Sequence, residues 1–146
     1  MKRHKNMSKW YPLEGYSYAD VNCKTVIEKM MDSVNKISKD NTLGENEKRE
    51  QIRAIYEAVT EIAFEHEVAY DRVINYISWL YSADDDAAAF DLALKLFSTL
   101  EDMVNPKTRV LEEVCDWVEL LADANDAMTD ELEDKLMFAR SYVHNS

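Results

Sequence analysis

Residues 105–126 read NPKTRVLEEVCDWVELLADAND. Two periodicities are superposed in this stretch. Leu111, Val114, Val118 and Leu121 recur at steps of three and four, which aligns side chains along one side of an α-helix and scatters them in a strand. Glu112, Asp116, Glu119, Asp123 and Asp126 recur at the same steps on the opposite side, with Trp117 at the margin. Asn105-Pro106 supplies a start: Asn caps helices well, and proline suits the first helical position, where its missing N–H would be unpaired anyway. The stretch therefore predicts an amphipathic helix with one buried face and one anionic face.

The same rule extends outward in both directions. Downstream, Thr129 predicts an N-cap for a helix whose stripe is Leu132, Leu136, Ala139 and Val143. Upstream, Phe90, Leu94, Phe97, Leu100 and Val104 predict a helix beginning near Ser82 or Asp84, its acidic start matching the positive end of a helix dipole. Tyr70, Val73, Ile74, Ile77, Leu80 and Tyr81 share a face over 69–81, with Trp79 nearly opposite. Ile52, Ile55, Val59, Ile62 and His66 mark another helix, with Thr42 and Glu45 spaced as its capping box. Cys23, Ile27, Met30, Val34 and Ile37 mark the first, with Ser17 and Asp20 spaced as a box before it.

Six helical segments in 146 residues predict an all-α fold, a compact bundle of about six short-to-medium helices. Only 2 Gly and 2 Pro occur, where average usage gives roughly 10 and 7, too few for the turns of a sandwich or barrel. The expected organisation is a basic and aromatic N-terminal arm over 1–16, then a single helical domain over 17–146.

The formal net charge is −12, and it is unevenly placed. Residues 1–83 hold 13 acidic and 12 basic side chains, whereas 84–146 hold 16 acidic and 5 basic. Between Arg109 and Lys135 there is no cation and there are ten carboxylates. Such a surface repels nucleic acid and anionic membranes, and it points to a partner that is itself basic. Neighbouring carboxylates on one helix face lie about 5–6 Å apart, close to the phosphate spacing along a nucleic-acid strand. Like charges at that separation cost a few tenths of a kcal/mol per pair, so a face kept free of lysine suits steering or binding.

The sharp expectation is thus a non-catalytic inhibitor or regulator. Its carboxylates Glu112, Asp116, Glu119, Asp123, Asp126, Asp130 and Glu133 would imitate a nucleic-acid backbone in the basic cleft of a DNA- or RNA-handling protein. Phage-type DNA mimics and anti-defence or host-takeover proteins share this short, acidic, helical and aromatic-rich profile. That likeness is one of composition, and no motif carries it. The bland alternative is a solvated helix face that happens to be acidic. A second alternative is an adaptor that docks through Trp10, Tyr11 and Trp79, since such residues dominate interface hot spots. A third is a homodimer completed by the apolar stripes.

Enzymatic constellations are weak. Glu65-His66-Glu67 places adjacent residues on different helix faces, so they do not converge on one metal. Residues 40–51 have the length of a calcium loop, but Glu45 stands at the required glycine and Gln51 at the bidentate glutamate. No cofactor is expected. Cys23 and Cys115 lack CxxC spacing and read as reduced thiols, which places the chain in the cytoplasm.

Overall fold

The computed structural model describes residues 23–145. They form six α-helices: α1 (Cys23–Ser38), α2 (Glu45–His66), α3 (Tyr70–Ser82), α4 (Asp86–Glu101), α5 (Thr108–Ala124) and α6 (Asp130–His144). No strand occurs among the described residues, so the chain is all-α. None of these helices is long and apolar enough to cross a membrane. The expected arm over 1–16, Trp10 and Tyr11 with it, and the Ser17–Asp20 capping box lie outside the described residues.

The chain divides into two compact units, one ending at Arg72 and the next beginning at Val73, with the boundary inside α3. In the first unit α1 packs against α2. Val26, Ile27, Met30 and Val34 of α1 are buried, as are Ile52, Ile55, Val59 and Ile62 of α2. Arg72 ties the start of α3 to α1: its Nε donates to Glu28 Oε2 at 3.0 Å, and its Nη2 donates to Oε1 at 2.8 Å and Oε2 at 2.7 Å. In the second unit α5 packs against both α4 and α6. Leu111, Val114, Val118 and Leu121 of α5 are all buried, as their spacing predicts.

Three boundaries and one face differ from the periodicity reading, each for a local reason. Thr42 does not cap α2. Its hydroxyl donates to Asp40 Oδ1 at 2.6 Å and its N–H to the same oxygen at 2.9 Å, forming a turn. Gly44 takes the N-cap, and its N–H donates to Glu47 Oε1 at 3.5 Å. That is the reaching-back half of a capping box, shifted two residues along the chain. Ser82 still belongs to α3, and Asp84 adopts a left-handed φ of 63° that reverses the chain. Asp85 then caps α4, its carboxylate accepting from the Ala88 N–H at 3.2 Å. Pro106 is buried and precedes α5, whose N-cap is Lys107. Its ring fills interior space instead of starting the helix. Thr129 caps α6 as predicted, its Oγ1 accepting from the Leu132 N–H at 3.1 Å.

The altered face is that of α4. Its innermost residues are Ala89, Ala93, Leu96, Phe97 and Leu100, while Phe90 and Leu94 are half-buried and Val104 is exposed beyond the helix end. Two alanines stand where a reading weighted to large side chains looks past them. Their small size lets the backbone of α4 sit close to what covers this face, and α4 packs against α5. Asn125, at the C-cap of α5, fastens the two helices: its Nδ2 donates to Asp86 O at 3.1 Å and to Leu121 O at 2.8 Å.

Candidate functional site

The seven predicted carboxylates are all exposed. Glu112, Asp116, Glu119 and Asp123 lie on α5. Asp126 lies past the α5 C-cap with a left-handed φ of 53°, so it belongs to the turn before α6 and not to the helical stripe. Asp130 and Glu133 stand in the first turn of α6.

The centre of the stripe is not open. Arg140 of α6 reaches across, and its Nη2 donates to Asp116 Oδ1 at 3.0 Å and to Glu119 Oε1 at 2.8 Å. Burial works against the guanidinium's charge, but its hydrogen bonds to Asp116 and Glu119 outweigh burial and push its pKa above the usual value. Sequence spacing had no way to find this clamp, because Arg140 lies 24 and 21 residues from its partners. Two other cations pair locally: Arg109 with Glu113 at 3.6 Å and Lys135 with Glu131 at 3.7 Å, each at i,i+4. Glu112, Asp123, Asp126, Asp130, Glu133 and Asp134 make no ion pair among the described residues.

Helix dipoles sort these carboxylates into two kinds. On α6 the acids occupy the first turn, where the dipole favours them. On α5 the order is reversed. Its first turn has no acid and its last turn no base, while Lys107 and Arg109 sit at its start and Asp123 at its end. An anion at a helix C-terminus costs about 0.3–1 kcal/mol. The α5 charges are therefore placed against the helix's own stability.

Beside the clamp runs an open groove of about 680 Å³. Met128, Leu136 and Met137 give it apolar surface, and Glu119, Glu133 and Arg140 give it polar edges. Met137 is 62% exposed and the adjacent Phe138 is 77% exposed. Stepping 100° per residue from Leu136 puts Phe138 on the outer side of α6, a signal present in the sequence.

The aromatic candidates divide differently. Trp79 is half-buried, with its ring centroid 6.2 Å from that of buried Tyr76. Trp117 meets the edge of Tyr81 at 5.7 Å and 70°. Among the described residues no three His, Cys, Asp or Glu side chains are grouped so as to hold a metal ion.

Two predictions arise here. Arg140→Ala should lower stability by about 1–2 kcal/mol, since it breaks two charge-assisted hydrogen bonds on a side chain 38% exposed to screening solvent. Thermal unfolding with Asp116→Asn and Glu119→Gln in the same background checks this: neutralising the orphaned acids should recover part of the loss. Cys115 gives the second. It is buried and free, and burial chiefly pushes its thiol up to about 11, against the pull of Arg140. A thiol reagent at pH 8 should leave it unlabelled until the chain unfolds. Because the folded pKa is raised above the ordinary 9.0, this stabilisation is complete below pH 9 and is lost as pH rises towards 11. Alkaline melts of Cys115→Ser should lack that loss.

No family model, no curated protein and no solved structure matches this chain.

Proposed function

We propose that the protein is a non-catalytic binding protein that presents its second unit to a basic surface of another protein. The sharper form of this reading is competition with DNA or RNA for a basic cleft. One observation carries it: α5 keeps exposed carboxylates along its length and at the end where its own dipole disfavours them, and among the described residues Arg140 is the one cation of another helix that pairs with them. A face serving solubility alone has no need of that arrangement, since interspersed lysines keep a surface solvated without the repulsion.

The mimic surface is reassigned by the clamp. Asp116 and Glu119 hold α6 in place, so the residues that stand in for phosphates are Glu112, Asp123 and Asp126 on and after α5, joined by Asp130, Glu133 and Asp134 on α6. The test is affinity capture from native-host extract at two salt concentrations. Recovery of a nucleic-acid-handling protein at low salt and its loss at high salt is the expected result, because exposed charge pairs weaken as the Debye length shrinks. Capture that is indifferent to salt would favour docking through Trp79 and the exposed α6 side chains.

A further inference from the structure

The groove beside Arg140 has a chemistry that the carboxylate stripe lacks. Met128, Leu136 and Met137 offer apolar surface inside it, and Glu119 and Glu133 stand at its edge. Its one arginine is already held by two carboxylates, and His144 lines the groove at the far end of α6, away from Glu133 in the first turn. Its volume, about 680 Å³, falls within the range of ligand clefts, but it is open along one side and suits a chain segment better than an enclosed small molecule. Methionine is over-used on surfaces that receive amphipathic helices, because its flexible, polarisable side chain adapts to the incoming one. Here Met137 and Phe138 carry large apolar side chains into solvent immediately after the acidic first turn of α6.

We infer that this groove receives a basic amphipathic helix of the partner protein, an apolar side chain entering against Met128 and Met137 while a lysine or arginine meets Glu133. Charge complementarity selects this occupant. A second copy of the same unit would bring its own unpaired acids against Glu133 and its neighbour Asp134, which costs free energy at close range. The inference rests on the proposed reading that the second unit binds a basic protein, and it adds where the apolar part of that contact is made.

The experiment uses the full chain and two synthetic probes of equal charge, a lysine–leucine amphipathic helix and an oligolysine. The wild-type chain should bind the amphipathic probe at least tenfold more tightly. Met137→Ser should remove most of that advantage and leave oligolysine binding unchanged. Its side chain is already mostly solvent-exposed, so folding is preserved, and circular dichroism verifies that. Glu133→Gln should weaken both probes, and Val104→Ser, at a residue 89% exposed outside the groove, should weaken neither. Equal binding of the two probes, or an unchanged advantage in Met137→Ser, overturns the groove and leaves the charge reading standing. Failure of the wild-type chain to bind oligolysine at low salt overturns the charge reading itself. A dimer in sedimentation that Met137→Ser dissociates would assign the groove to a second copy and overturn the inference.

Discussion

Ala93→Leu should destabilise the second unit by about 2–3 kcal/mol, the upper part of the range for overpacking a filled interior. Ala93 has no exposed surface, and neither has Ala89 one turn earlier. Both lie on α4, which packs against α5. A leucine at 93 adds three carbons where no space exists, so the helices must separate or the side chain must leave its rotamer wells. For a chain of this length the midpoint of thermal unfolding should fall by roughly 6–10 °C. Leu94→Ala is the comparison. Leu94 is only half-buried, so its truncation should cost about 1 kcal/mol, well below the cost of truncating a core leucine. If Leu94→Ala proves the more damaging of the two, the face that α4 buries is the one that the large side chains suggest, and the alanine face is wrong.

That comparison also shows what kind of information the chain carries openly. Strong stripes of branched residues on α1, α2 and α5 identify both the helix and its buried side, because burial of each such side chain is worth about 1.5–3 kcal/mol. On α4 the apolar residues surround the helix more evenly, with Ala87, Ala88, Ala89 and Ala93 among them. Alanine contributes little transfer free energy, so its position on a buried face follows from how near two backbones come, which is a tertiary fact. Caps divide in the same way. Thr129 has a single acceptor role open to it and takes it. Thr42 has a competing carboxylate two residues back, and the short Asp40 turn wins.

The acidic face was legible as a set of exposed residues and illegible as a set of free ones. Periodicity places Asp116 and Glu119 beside Glu112 and Asp123 on one helix. It says nothing of Arg140, whose approach depends on how α6 lies against α5. The groove was hidden for the same reason, since Glu119 comes to it from α5, while Met128 comes from the turn before α6 and Met137 from α6 itself. Individual exposures were readable, as Phe138 shows, but their assembly into one surface was not.

Neutralising the open carboxylates should move binding and stability in opposite directions. In the variant Glu112→Gln, Asp123→Asn, Asp126→Asn and Asp134→Asn, four charges without an ion-pair partner are removed and the Arg140 clamp is left whole. Asparagine tolerates the left-handed backbone that Asp126 occupies, so the turn is retained. If each charge meets a cation on the partner for about 0.7 kcal/mol, the four together contribute about 3 kcal/mol, and affinity should fall roughly a hundredfold. The dependence of affinity on salt should flatten as well, because fewer screened pairs remain. Stability should rise by about 0.5–1 kcal/mol, since Asp123 no longer opposes the α5 dipole and α5 loses its like-charge neighbours. The pairing of signs discriminates. A solvated face of no function predicts the gain in stability without the loss of binding, and carboxylates that support the fold predict a loss of stability. Titration of the captured partner at two salt concentrations, alongside urea unfolding of both proteins, separates the three. The binding reading is sunk if the variant retains wild-type affinity at low salt, for then the charges that α5 carries against its own dipole are read by no partner.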